Sequence, residues 1–486
     1  MCEFAEISNV FMELKSTNKL KYLLTELDVQ GIDYVSWKNN HQLQSVMVGN
    51  GDIDLFVSFN NRSQFFNLCR LHGWIEVVNP ISDYPWITHF YRLGDNLEVF
   101  HIHVYFKLIT GETWIKEYSI PFDDWLIENR VWNTEHDIWV LNKSCQSYLF
   151  LIRHLLKCGS ITSRFLYKRE LASYNMEWNE CSNGVEQDDI KGPIDIKSFF
   201  DGSRAFGKKL ELPLIKSAFL FRLSFIPFLR HKLSFLALLR LQSFISRLIN
   251  KVFLKRKKVL PESGLTIAIS GVDGSGKTTM LQEVDKILGQ FLTIERFHIG
   301  RPQGKLIEFI WRILGNKSEN SSMPGCSDIT SPSSRGRAVN GAILAFLRFR
   351  KARIILKRAS LGSLMLIDRW PTNELGKMDG PRIIIGENSG WIERLCKHFE
   401  SWAYAKMPQV DICYFFEVPI EVAIERNHLR IKENKETEKQ ISARFLGNFD
   451  YKPLAKKTIR FENSGEFEGE RKDLLKNIWH EISSRY

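Results

Sequence analysis

The chain has 486 residues, with 67 Lys plus Arg against 56 Asp plus Glu, a net charge of +11. At roughly 100–200 residues per domain, this length predicts more than one domain, and 44% apolar with 25% charged residues excludes a disordered or collagen-like chain. The excess charge sits in one segment: between Glu211 and Glu262 lie eleven basic residues and no acidic one, and the rest of the chain balances, which argues against a nucleic-acid binder.

Eight scattered cysteines without a CxxC pair speak against a disulfide framework or a structural zinc site and fit a reducing cytosol. The opening Met-Cys-Glu-Phe-Ala-Glu lacks the basic-then-apolar order of a signal peptide, and no apolar run reaches about 18 residues. A cytoplasmic protein is expected, at most peripheral at a membrane.

In chain order, the first region, 1–175, mixes both periodicities. Strands are predicted over 52–58 and 97–106, a helix ending across 67–73, and a helix over 145–158 that stops at Gly159. Gly51-Asp52-Ile53-Asp54-Leu55-Phe56-Val57 places two carboxylates at i and i+2, on one face of a strand and about 6–7 Å apart. Such a pair can grip metal ions that position phosphates. This region resembles the nucleotidyltransferase superfamily, which carries Asp-x-Asp on one strand and a third carboxylate on a later one. The resemblance implies a metal site of Asp52, Asp54 and Glu98. Trp37-Lys38-Asn39-Asn40 stands where that superfamily has a Gly-rich turn, so Lys38 or Asn39 would take its place, and a fold retained without catalysis stays open. His101 and His103 face away from Glu98 in strict alternation and read as ordinary strand histidines.

Residues 175–212 are more polar and read as a linker or loop excursion. The basic segment 212–260 follows. At 100° per residue, Arg222, Arg230, Arg240, Arg247, Lys251, Lys255 and Lys258 fall within about 100° of one another, the remaining face being Phe, Leu and Ile, with Pro227 dividing the helix. Such a segment suits an anionic membrane surface, or a connector whose apolar face packs on a neighbouring domain while its cations stay wet. A homodimer also stays open.

From Leu265 onward, short buried strands alternate with longer helices. Leu265–Ile269 is an apolar run suited to a strand buried on both faces of a parallel sheet. It leads into Gly271-Val272-Asp273-Gly274-Ser275-Gly276-Lys277-Thr278, which satisfies G-x-x-x-x-G-K-[ST], and then into a helix. The glycines let backbone N–H groups curl toward phosphates at a helix N-terminus, Lys277 reaches the β- and γ-phosphates, and the Thr278 hydroxyl ligates Mg²⁺. Gly315–Arg337 reads as a loop. Leu364–Asp368 is a second buried strand whose final carboxylate suits a Mg²⁺-water ligand, and Arg369 follows it. A third strand, 412–418, runs through Pro419 into a helix with Glu421, Arg426 and Arg430.

Gly271 through Thr279, Asp368-Arg369-Trp370 and Glu417-Val-Pro-x-Glu421-Val-Ala-x-x-Arg426 resemble thymidylate kinases over about 265–450. The resemblance implies an ATP- and Mg²⁺-dependent kinase that phosphorylates dTMP, with Arg369 on the acceptor phosphate and a lid spanning Arg426–Arg444. Gly300-Arg301-Pro302-Gln303-Gly304 stands where that family has Arg-Glu-Pro-Gly-Gly.

The expected architecture is therefore an α+β nucleotidyltransferase-like domain (1–175), a linker and basic helical connector (176–260), and a three-layer α/β P-loop kinase domain with a parallel sheet (261–486). The leading function is phosphoryl transfer from ATP to a nucleoside monophosphate. A sugar- or polyol-phosphate acceptor of bacterial surface-glycan synthesis and a non-catalytic nucleotide sensor are the alternatives.

Overall fold

The computed structural model describes residues 18–199, 210–300, 332–428, 437–448 and 450–485. Two compact units emerge: residues up to Arg256, joined by those from Ile478 on, and residues 257–477.

The first unit is built on strands β1 (Tyr34–Lys38), β2 (Asp52–Val57), β3 (Ile75–Val77), β4 (Ile87–Leu93), β5 (Val99–Tyr105), β6 (Leu108–Thr110), β7 (Tyr118–Ile120), β8 (Arg130–Asn133) and β9 (Ile138–Leu141). Seven of them form a mixed sheet in the order β3-β4-β5-β2-β1-β9-β8, while β6 and β7 pair separately. Period-two alternation gives this sheet two apolar faces. Ile53, Leu55, Val57, Ile102 and Val104 pack with Leu20, Leu24 and Leu27 of the helix Lys19–Val29. On the other face, Val35, Trp37, Phe56 and Tyr105 join Leu149, Ile152 and Leu156 of the helix Lys143–Lys157, which Asn142 caps by accepting from the Cys145 N–H.

The stretch read as a linker belongs to this second core. The helix Leu171–Ser182 buries Trp178 and Cys181, and Ile190, Ile196 and Leu210 join them. Its apolar residues are too widely spaced to show a period, yet each finds the same core. The basic segment differs from the connector reading in one respect, since several of its arginines are not wet but face the protein. Arg222 pairs with buried Glu117 at 2.6 Å and donates to the Leu156 carbonyl, and Arg240 pairs with buried Glu112 at 3.0 Å. The helix Ile215–Ser224 also buries Ala218 and Phe221, and the helix Leu233–Ile249 buries Leu236, while much of their remaining apolar surface is exposed.

The second unit is α/β. Strands β10 (Thr266–Gly271), β11 (Ile294–His298), β12 (Leu364–Asp368), β13 (Val410–Glu417) and β14 (Ala455–Glu462) form a sheet in the order β11-β12-β10-β13-β14, with every neighbouring pair parallel. The continuous apolar runs of β10 and β12 are buried, as central strands covered on both faces require. Ala268, Met365, Ile367 and Cys413 meet Ala345, Ala352 and Ile355 of the long helix Arg335–Ala359. With β10 between β12 and β13, the carboxyl ends of the central strands open at the point where strand order reverses, the usual ligand position in such sheets.

Candidate active site

β10 ends in the glycine-rich loop, and the helix Lys277–Leu288 begins immediately after it. Two glycines are obligatory for this shape. Gly271 has φ +147° and Gly274 φ +96°, and a Cβ on Gly274 would lie 2.7 Å from the Ala423 carbonyl oxygen. The helix's first turn contains no acidic side chain, so its positive dipole end stays available to an anion. Thr278 and Thr279 are exposed on that turn, and Ser275 is buried beneath the loop. Lys277 is also buried, and its Nζ donates to the Val272 carbonyl at 2.6 Å and to Ser275 Oγ at 3.3 Å.

Asp368 ends β12, the neighbour of β10, with its Oδ2 on His298 Nδ1 at 3.1 Å. Its Oδ1 is buried without a hydrogen-bond partner among the described residues. Burial raises the Asp368 carboxyl, but the His298 hydrogen bond and the Lys277 charge outweigh it and hold the group below the usual carboxylate range. An ionised carboxylate with one uncommitted oxygen beside a phosphate loop suits a Mg²⁺-water site.

Arg369, in the left-handed region at φ +69°, pairs with Asp273 of the loop and lies 3.7 Å from Asp379. Asp379 is in turn held by fully buried Arg348, through its carboxylate at 2.6 Å and its carbonyl at 2.9 Å. A relay of alternating charge thus runs from the phosphate loop to the long helix. Arg426 donates to the Asn463 carbonyl at 2.8 Å, and the Asn463 amide donates to the Ser275 carbonyl at 2.6 Å, tying its helix to the loop. Arg430 lies outside the described residues, as do 301–304 and most of the 315–337 loop.

His298 and Asn463 escaped the sequence reading. His298 ends the edge strand β11 directly in register with Asp368, which assigning 294–298 as a strand would have revealed. Asn463 follows the last strand and carried no local signal.

The first unit holds a second cluster. Asp52, Asp54 and His103 offer ligand atoms all within 4.8 Å of one another. Glu98 is not among them, which corrects the expected third ligand. Glu98 precedes β5, and its carboxylate accepts from the Asn96 N–H in the turn. In the parallel register of β2 and β5, His103 stands opposite Asp54 and His101 opposite Asp52. His103, read as an ordinary strand histidine, therefore bonds Asp54 at 2.9 Å.

Asp54 is closely held. Lys38 Nζ lies 2.7 Å from the same Oδ1, and the Asn39 amide donates to Oδ2 at 2.7 Å, so both residues reach it. Burial raises the Asp54 carboxyl, but Lys38 and His103 overcome it and pull it far below its ordinary range. A metal ion binding all three ligands would compete with Lys38 for Asp54. Burial lowers the His103 imidazole to about 3, so it is neutral at physiological pH. Lys116 and Lys157 stand nearby on Tyr105 and Tyr174, and Arg153 pairs with Glu177. Burial, then the charges of Arg153 and Lys38, bring the Lys157 ammonium down to about 7. Lys38 and Arg153 thus answer the buried carboxylates of Asp54 and Glu177 one for one, while burial pushes the Lys116 ammonium well below its ordinary range as well.

No family model matches this chain. Over 170 residues, 33% of this chain and 68% of the relative, it is 28% identical to YghR of Escherichia coli K12, described as an uncharacterized ATP-binding protein. Over 139 residues, 26% of this chain and 58% of the relative, it is 28% identical to YghS of the same strain, which bears the same description. The structure of thymidylate kinase from Candida albicans aligns with 46% of this chain and 92% of its own at 12% identity, with a TM-score of 0.29.

Proposed function

We propose that the second unit binds ATP with Mg²⁺ and transfers its γ-phosphoryl group to a phosphorylated small molecule, in the first instance a nucleoside monophosphate such as dTMP. The observation that carries this reading is the glycine-built loop with Lys277 at a helix N-terminus, beside an ionised Asp368 that keeps one buried oxygen uncommitted. The ATP-binding description of the two relatives supports the donor half.

In the reaction, an oxygen of the acceptor phosphate attacks the γ-phosphorus while its bond to the β–γ bridging oxygen breaks, and ADP leaves. The acceptor itself supplies the nucleophile, so no side chain need form a covalent intermediate. Lys277 moves from the Val272 carbonyl onto the β- and γ-phosphates. Arg369 holds the acceptor phosphate, and Arg426, with Arg430 by resemblance, balances the equatorial oxygens of the transferring group. Thr278 and Asp368 would hold a Mg²⁺ ion, which would supply charge neutralisation for the polyphosphate.

An acceptor screen with the full chain tests this, following ADP release with nucleoside monophosphates, sugar phosphates and polyol phosphates. ADP release that depends on dTMP supports the leading reading. Dependence on a sugar or polyol phosphate instead moves the acceptor to surface-glycan chemistry, and slow turnover indifferent to every acceptor favours a nucleotide sensor.

A second reading concerns the first unit, favoured by its metal-competent trio of Asp52, Asp54 and His103. There the acceptor phosphate attacks the α-phosphorus of a nucleoside triphosphate and pyrophosphate leaves. Asp52→Asn with Asp54→Asn should abolish pyrophosphate release and leave ADP release intact. Equal loss of both would sink the reading.

A further inference from the structure

The helix Leu233–Ile249 is turned inside out. A surface helix ordinarily sets its apolar stripe on the core and its charges in water. Here Arg240 pairs with Glu112, Ser243 donates to the Trp114 carbonyl at 3.1 Å and Arg247 donates to Ser82 at 3.1 Å, so the polar stripe faces the protein. The opposite stripe, Leu238, Leu241, Ile245, Leu248 and Val252, keeps the three-and-four spacing of one helix face, and its members are 44–56% exposed. Phe253 extends it at 77% exposed, and the preceding helix adds Phe219 and Leu223. A contiguous apolar face of this extent marks an interaction surface.

Charge identifies the partner. No acidic residue lies between Glu211 and Glu262, and the exposed Lys216, Lys232, Lys251 and Lys255 form no ion pair among the described residues. A second copy docked on the same patch would bring lysines and apolar side chains against their like, with no carboxylate in either patch to answer them. An anionic lipid surface answers both features at once, taking the apolar stripe below its headgroups and the lysines among them. Among the described residues no helix is long and apolar enough to cross a membrane.

We propose that the helices at 215–254 dock the protein on an anionic bilayer through this exposed apolar face, with the flanking lysines setting the preference for negative lipid. The inference is independent of either catalytic reading.

Co-sedimentation of the full chain with vesicles tests it. Vesicles of phosphatidylcholine with about 30% phosphatidylglycerol should bind it at least roughly tenfold more tightly than phosphatidylcholine alone, and salt at about 0.5 M should weaken binding. Leu238→Gln with Leu241→Gln and Leu248→Gln should abolish vesicle binding while thermal melting and ATP binding stay as in the wild type. Lys251→Glu with Lys255→Glu should erase the preference for anionic vesicles. Equal binding to neutral vesicles, or no binding to anionic ones, overturns the proposal. So does a dimer, seen by light scattering, that the triple Gln variant converts to monomer, because the face would then belong to a second copy.

Discussion

Each unit sets a lysine near a strand-borne aspartate, and the two treat that pair in opposite ways. In the first unit Asp54 is buried and charge-paired: Lys38 and His103 lie 2.7 and 2.9 Å from one oxygen, and the Asn39 amide donates to the other. In the second unit Lys277 rests on a backbone carbonyl, and Asp368 keeps a buried oxygen without a partner among the described residues. A closed pair offsets its own desolvation, and any ligand must displace something to enter. An open pair forgoes that stabilisation and is ready for a polyphosphate and its cation. The closed site is made of side chains gathered from distant strands and helices, whereas the open one is mostly backbone, curled by glycines within eight residues.

This contrast makes graded predictions. Lys38→Met strands a fully buried carboxylate, so urea unfolding should show the first unit destabilised by about 3–5 kcal/mol. Adding Asp54→Asn should restore most of that loss, and independent effects of the two changes would show that the pair is not closed. Lys277→Met should do the reverse. It is expected to cut acceptor-dependent ADP release by about 10²–10³-fold, in a coupled assay, with the unfolding midpoint of the second unit nearly unchanged. Asp368→Asn should cost about 10–100-fold in activity and shift the Mg²⁺ titration to higher concentration, as loss of an outer-sphere partner does.

The smallest effect is on pH dependence. Lys157 titrates at about 7 in the folded unit against 10.5 for an ordinary lysine, because burial and the neighbouring cations oppose its charge. Between those values the unfolded chain holds a proton that the folded one has released, so this residue makes stability rise with pH across that window and contributes none of the gain below it. Melting curves from pH 7 to pH 10 should show a shallower rise in Lys157→Met than in the wild type.

The phosphate loop was legible because strand, turn and helix are contiguous and every part obeys a local rule. β12 and Asp368 were legible for the same reason: burial on both faces demands an unbroken apolar run, and the carboxylate that ends the run marks where the strand leaves the core. Glu98 misled because the expected strand included 98, whereas the chain is still turning there, with Leu97 at φ +69°, and β5 starts one residue later. Parity then decides the face, and the residue opposite Asp54 is a histidine. Arg348 was visible only as a charge without a pattern, since its partner Asp379 lies 31 residues away in an irregular stretch.

The basic segment divides the two kinds of information most clearly. The sequence alone established that the net charge of +11 is local to it and that its basic residues fall on one side of a helical wheel, because those properties depend only on neighbours in sequence. Which stripe meets water was decided by tertiary structure. Buried Glu112 and Glu117, on a hairpin more than 100 residues earlier, draw Arg222 and Arg240 inward, and a buried carboxylate left unpaired costs more than a leucine left wet. The helix Leu233–Ile249 therefore presents most of its apolar side outward, and the arginines that looked like the means of reaching a partner serve instead to hold that apolar face in place.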